Sequence, residues 1–304
     1  MINPSAYIGR FAPSPTGPLH FGSLVCALAS FVDARHHQGQ WLVRIEDSDP
    51  PREIPGATTV ILKQLESHGL LWDGELLYQS QRSDAYEAAL AQLHRDGLSY
   101  SCDCNRSRVS GLGGIYDGLC RRRPVGSDSA IRLKLPEDGN DSTIAFNDLI
   151  MGDYKQNLCR DVGDFVIQRR DQLFSYQLAV TVDDQFQNIS HIIRGADLLD
   201  STPRQIYLQR CLGASSEQAA AMHYGHLPLA INSEGQKLSK QNHAPALSLG
   251  KESINLWLAL KWLQQAPPAE LRREDSATIL NWAIANWSIA KIPNSAEIPA
   301  PETP

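Results

Sequence analysis

The chain has 304 residues, 42% hydrophobic and 20% charged, the balance of a globular protein with room for one large or two modest cores. A net charge of −6 excludes a global positive field that would draw the whole molecule onto nucleic acid or an anionic membrane, so any contact with RNA must be local. The longest largely apolar run, Leu24 to Val32, is interrupted by Ser30 and too short for a bilayer, and MINPSAYIG lacks the regions of a signal peptide, so a cytoplasmic location with no membrane partner is expected.

Tyr7 to Phe11 reads as a short strand. Residues 13–22, PSPTGPLHFG, then hold three prolines and two glycines and set His20 directly before an apolar helical pattern. That helix is predicted over 22–37, with Leu24, Val25, Leu28, Phe31 and Val32 on its apolar positions and Gly39 closing it. WLVRIED from Trp41 follows as a strand, completing the strand, helix, strand unit of a parallel sheet. Ligands of such sheets sit outside the carboxyl ends of the strands, which places Arg10 to His20 and Glu46 to Asp49 on one edge. A phosphate there gains the unpaired N–H groups of a helix start. Gly17 and Gly22 allow close approach, the prolines stiffen the loop, and His20 supplies a directed donor; a stiffened surface turn with a satisfied histidine is the plain alternative.

Helical patterns continue over 57–69 and 82–96, and the composition changes near residue 98. Residues 99 to about 185 read as an insertion with a strand AIRLKL and a hairpin-like DFVIQRRDQLFSY. Three of the six cysteines, Cys102, Cys104 and Cys120, crowd into 19 residues, which in a reducing compartment points to a metal rather than to disulfides. A closed tetrahedral zinc site needs a fourth ligand, and Tyr116, Asp117, Asp103 and water are the candidates. With no general base nearby, the site reads as structural. Arg106, Arg108, Arg121, Arg122 and Arg123 surround it and form the best candidate for a phosphate-backbone footprint.

HIIRGADLL is predicted as a strand ending at Gly195, and STPRQIYLQRCLG as a helix capped by Ser201 or Thr202. In GQKLSKQN, Lys237 and Lys240 flank a small hydroxyl residue, as suits a mobile loop that closes over a triphosphate. Two further helical patterns lie near 248–264 and 275–289, and the Pro-rich tail from 291 to 304 is expected to be disordered.

Taken together, Pro18-Leu19-His20-Phe21-Gly22 and Lys237-Leu238-Ser239-Lys240-Gln241 resemble the two signatures of the class I aminoacyl-tRNA synthetases. RFAPSPTGPLHFGS, RIEDSD, QRSDAYEAAL, VDD and HIIRGADLL, in order over residues 7 to about 245, resemble the glutamyl branch of that class. Phe21 stands where isoleucine is usual and Gln241 where serine is usual, and neither change removes a charged group. The resemblance implies an α/β fold, a Rossmann-like parallel-sheet catalytic domain in two halves (1–98 and 186–245). Between them lies a zinc-bearing α+β subdomain (99–185), and a short helical segment (246–290) follows. It implies that Arg10 and Arg194 surround the side-chain carboxylate of glutamate, that Tyr176 adds a hydrogen bond, that Glu46 takes the α-ammonium, and that Ala12 and Ser14 line the same pocket. ATP would lie against Pro13, Gly17, His20, Gly22 and Lys240, with His20, Lys237 and Lys240 catalytic, and Tyr116 would complete the zinc site.

Full-length members continue past the lysine loop into helical domains that read the anticodon, whereas about sixty residues remain here. On that ground the chain resembles the truncated paralogues that activate glutamate without tRNA and transfer it to the queuosine base of tRNA(Asp). The expected partners are ATP with Mg²⁺, L-glutamate and queuosine-bearing tRNA(Asp), acting on a monomer. The rivals are a minimal enzyme charging the 3′ end of tRNA(Glu), a different nucleotidyltransferase, and a non-catalytic RNA-binding paralogue.

Overall fold

Seven strands form the central sheet of the computed structural model, which describes residues 7–136, 142–214, 222–238, 245–248 and 250–301. In chain order the strands are β1 (Ile8–Phe11), β2 (Gln40–Ile45), β3 (Leu77–Tyr78), β4 (Ser99–Cys102), β5 (Ala130–Leu133), β6 (Thr143–Asp148), β7 (Gly152–Asn157), β8 (Val166–Gln168), β9 (His191–Gly195), β10 (His223–Leu227), β11 (Leu229–Ile231) and β12 (Glu297–Pro299). The large sheet runs β3-β2-β1-β9-β10-β6-β7, parallel except for the edge strand β7. This is an α/β architecture, and the strand order reverses between β1 and β9, so the carboxyl ends of those two strands open a crevice. Arg10 and Arg194 lie one residue before the ends of these strands.

All four residues of β1 are buried, because a central parallel strand is covered on both faces. One face packs on the helix Phe21–His36, where Leu24, Leu28 and Val32 are fully buried, and the helices Glu252–Trp262 and Ser276–Asn286 pack in turn on that helix. Asp33 locks these layers together, accepting from the Tyr7 hydroxyl at 2.5 Å and from Trp287 Nε1 at 2.7 Å. The opposite face is covered by Ser83–Arg95, Tyr176–Phe186 and Thr202–Cys211, with Leu93, Leu178 and Leu208 buried among them. Strands β4, β5 and β8 form a separate antiparallel sheet that carries the cysteines.

Three features differ from the sequence expectations. The hairpin β6–β7, inside the segment expected to be a separate insertion, extends the large sheet by pairing with β10. The Pro-rich tail is ordered through residue 301: β12 pairs in parallel with β11, and Trp262 Nε1 donates to Pro299 O at 2.9 Å. Neither Ser201 nor Thr202 caps its helix with a side chain, because the Thr202 hydroxyl accepts from Arg194 Nη2 at 2.7 Å and Ser201 Oγ accepts from Gln177 Nε2 at 3.1 Å. Among the described residues, no helix is long and apolar enough to cross a membrane.

Candidate active site and metal centre

The loop after β1 is tied down before it reaches the first helix. Pro13 O accepts from Glu46 N at 3.0 Å, Pro15 O from Ile54 N at 2.9 Å, and Leu19 N donates to Gln64 Oε1 at 2.7 Å. Ala12 lies half-buried beyond the end of β1, Ser14 is exposed toward the crevice, and Gly17 turns the chain with φ 134°. His20 is the N-cap of the helix: its Nδ1 accepts from Ser23 N at 3.3 Å, which leaves the proton of the neutral ring on Nε2. Gly22 leaves room for the ring, because a Cβ there would stand only 3.2 Å from His20 Cε1 and 3.3 Å from Nδ1.

The segment around the lysine motif lies against this loop. Leu247 N donates to Leu19 O at 2.9 Å, His20 bridges to Ala246, and Leu238 O is 3.7 Å from the position of a Gly22 Cβ. Lys237 Nζ pairs with Asp197 Oδ2 at 2.6 Å. Lys240, with Ser239 and Gln241, lies outside the described residues.

At the crevice floor the structure gathers buried charges. Arg10, 3% exposed, donates from Nε and Nη2 to Asp184 at 3.3 and 3.4 Å. Arg44, fully buried, donates to Asp184 at 2.7 Å and to Gln187 Oε1 at 2.9 Å. Burial alone would push Asp184 up, but the two guanidinium groups overcome it and hold the carboxyl below its ordinary range. Its loss would strand two buried cations, a cost of about 3–5 kcal/mol. Arg44 Nη2 also lies 3.8 Å from Glu46 Oε1. Glu46 is pushed up to about 7 by burial, with Arg44 and Arg10 opposing and Asp184 and Asp183 adding to the rise. Asp183 anchors the adjoining wall through Arg82 Nε at 3.0 Å, Gln79 Nε2 at 2.9 Å and the Tyr86 hydroxyl at 2.7 Å.

Arg194 closes the other side. Its Nη1 donates to the Tyr176 hydroxyl at 3.3 Å and its Nε to His226 Nε2 at 3.1 Å. Burial raises the Tyr176 hydroxyl; Arg194 lowers it, Glu46 raises it and Arg10 lowers it, so all four residues act on one neighbourhood. Together they present two arginines, a hydroxyl and a carboxyl within one buried space, a set suited to a small molecule bearing both carboxylate and ammonium. From Ser14, Glu46 and Tyr176 a cleft of about 950 Å³ runs to Arg106, Arg169 and Arg170.

In the antiparallel sheet the sulfur atoms of Cys102, Cys104 and Cys120 lie within 4.8 Å of one another. The Tyr116 hydroxyl is 3.4 Å from Cys102 Sγ and 3.7 Å from Cys104 Sγ, and Cys104 Sγ is 3.5 Å from Cys120 Sγ. A zinc ion about 2.3 Å from sulfur and about 2.0 Å from oxygen implies tetrahedral edges of about 3.8 Å between sulfurs and about 3.5 Å between sulfur and oxygen, so this donor set fits such an ion. Cys120 N donates to the Tyr116 oxygen at 3.0 Å. Arg132 supplies positive charge, with Nε 3.2 Å from Cys102 Sγ and its guanidinium 3.9 Å from the centre of the Tyr116 ring. Gly163, at φ 71°, lets its backbone bridge to Tyr116, whose backbone oxygen would lie 2.4 Å from any Cβ there.

The five neighbouring arginines are not a uniform cationic face. Arg108 pairs with Asp117, Arg123 with Asp103 and Arg121 with the buried Asp164, so three of them brace this region. Arg106, Arg169 and Arg170 instead line the cleft.

Sequence reasoning assigned no role to Arg44, Asp148, Asp183, Asp184 or His226, and read Thr202 only as a possible helix cap. Arg44 carried a signal, a charge inside the apolar strand pattern WLVRI. His226 and Asp148 carried none, because their partnership depends on β10 pairing with β6, 78 residues apart in the chain.

The family model "tRNA synthetases class I (E and Q), catalytic domain" matches residues 8–114 and 119–251. The chain is 50% identical to the glutamyl-Q tRNA(Asp) synthetase of Pseudomonas aeruginosa over 296 residues, covering 97% of this chain and 98% of that protein. It is 52% identical to the protein of the same name from Escherichia coli over 291 residues, covering 95% and 92%. The glutamate-tRNA synthetase structure from Elizabethkingia anophelis superposes with a TM-score of 0.77 at 24% identity, covering 96% of this chain and 67% of that one, which shows a shared fold. This chain therefore belongs to the class I tRNA synthetases, within their glutamyl-Q tRNA(Asp) synthetase family, and is a ligase.

Proposed function

We propose that this enzyme, acting as a monomer, activates L-glutamate with ATP without any tRNA and then transfers the glutamyl group to the queuosine base of tRNA(Asp). The observation that carries the first step is the buried neighbourhood of Arg10, Glu46, Tyr176 and Arg194 beside the His20 helix start. In this reading the two arginines and Tyr176 hold the side-chain carboxylate and Glu46 holds the α-ammonium, while Ala12 and Ser14 line the entrance. The α-carboxylate oxygen attacks the α-phosphorus of ATP, which enters as its magnesium complex. The bond to the bridging oxygen breaks and pyrophosphate leaves. His20, Lys237 and Lys240 stabilise charge on the phosphates, and Pro13, Gly17 and Gly22 let the nucleotide approach the helix start. A hydroxyl of the modified base then attacks the mixed anhydride and AMP departs with the electron pair. The names of the two relatives support this acceptor. Cys102, Cys104, Cys120 and Tyr116 hold a structural zinc ion.

Pyrophosphate exchange with each amino acid, with and without tRNA, tests the first step. Exchange with glutamate alone is expected; exchange that needs tRNA, or that prefers another amino acid, would overturn it.

Two expectations follow from the geometry. With Glu46 at about 7, a protonated carboxyl must ionise before it can pair with an ammonium. The KM for glutamate should therefore rise toward tenfold per pH unit as pH falls below 7 and level off above it, and Glu46→Gln should raise KM and flatten the profile. Gly22→Ala should improve helix propensity by about 1 kcal/mol while pressing on the His20 ring. A slower exchange rate with an unchanged or higher Tm is expected, measured by exchange kinetics and thermal unfolding.

A further inference from the structure

We propose that His226 and Asp148 are positioning residues for glutamate recognition, setting the orientation of Arg194 through the tautomer of one buried imidazole. This inference rests on the assignment of Arg194 to the glutamate pocket. Arg194 Nε donates to His226 Nε2 at 3.1 Å, and an N–H can be received there only if the second ring nitrogen carries the proton. That nitrogen, Nδ1, lies 2.6 Å from Asp148 Oδ2. Thr202 completes the clamp, its hydroxyl accepting from Arg194 Nη2 at 2.7 Å and lying 3.1 Å from His226 Nε2. The His226 and Asp148 side chains are wholly buried, so no water competes for these bonds.

The two oxygens of Asp148 divide the work. Oδ1 receives the backbone N–H groups of Ile150, Met151 and His226 and shapes the β6 turn; Oδ2 receives the His226 ring. The structural duty is thus carried by one atom and the positioning duty by the other. With two of its nitrogens held, the Arg194 guanidinium plane is fixed and its Nη1 edge points to the Tyr176 hydroxyl. An arginine fork recognises a carboxylate only when its plane is aligned, so the relay fixes this orientation before the ligand arrives.

Asp148→Asn separates the two duties. Its amide oxygen can keep the backbone bonds, while its NH₂ donates to Nδ1 and forces the ring proton onto Nε2, donor against donor with Arg194. The expected result in glutamate-dependent pyrophosphate exchange is a KM for glutamate raised about tenfold or more, with the KM for ATP and the Tm near wild type. Nitrogen NMR should show the inverted tautomer. His226→Leu should raise the same KM, and His226→Gln, which restores an acceptor, should recover part of it. If Arg194→Ala raises the glutamate KM while Asp148→Asn and His226→Leu both leave it within twofold of wild type, the relay is refuted and the pocket stands. If Arg194→Ala itself leaves that KM unchanged, the pocket assignment fails and the relay fails with it.

Discussion

His20→Ala is expected to lower glutamate-dependent pyrophosphate exchange by about 10²- to 10³-fold while moving Tm by only a few degrees. In the proposed reaction the ring has two separable functions. Through Nδ1 it caps the first helix at Ser23 N, a bond whose loss costs about 1 kcal/mol. The cap also fixes the proton on Nε2, the nitrogen proposed to donate to a phosphate oxygen as charge develops. His20→Asn distinguishes the two: asparagine restores a cap and the lost stability but offers no imidazole, so the rate should stay low while Tm recovers. A rate that recovered with Asn would mean that the cap alone matters.

Cys102→Ser is expected to drop the zinc content from about one per chain to a small fraction and to destabilise the antiparallel sheet. Cys102 is fully buried and faces both the Tyr116 hydroxyl and Arg132, so its loss removes a proposed ligand and leaves a buried guanidinium beside a neutral hydroxyl. The crevice proposed to make the adenylate is built on other strands, so tRNA-free exchange should fall no more than a few fold. Transfer to tRNA should fall further, because Cys104, Asn105 and Arg106 form part of the cleft wall. Elemental analysis and the ratio of the two activities check this; full metal content in the variant would contradict the assignment.

The candidate site was legible in the sequence where local chemistry announces itself. A histidine before an apolar helix, a Pro/Gly loop after a strand and three clustered cysteines each have a short-range reason, and the structure places His20, Gly22 and Leu238 side by side. Arg194 and Tyr176, matched through the family resemblance, meet at 3.3 Å. What the sequence hid is long-range. Arg44, Asp184 and Arg10 converge only after β1 and β2 pair and the helix Tyr176–Phe186 docks. Thr202 looked like a helix cap because Ser and Thr favour that position, yet its hydroxyl is used sideways to hold Arg194. The tail failed for a related reason: its prolines suggested disorder, but only the exposed edge of β11 could show that Glu297–Pro299 had a partner.

The most direct test of the proposed function is to load labelled glutamate onto purified tRNA(Asp) with and without queuosine, using tRNA(Glu) as the third substrate. Labelling confined to queuosine-bearing tRNA(Asp), at a bond that survives removal of the 3′-terminal adenosine, is expected. Equal labelling of the two tRNA(Asp) forms, or label at the 3′ end of tRNA(Glu), would contradict it.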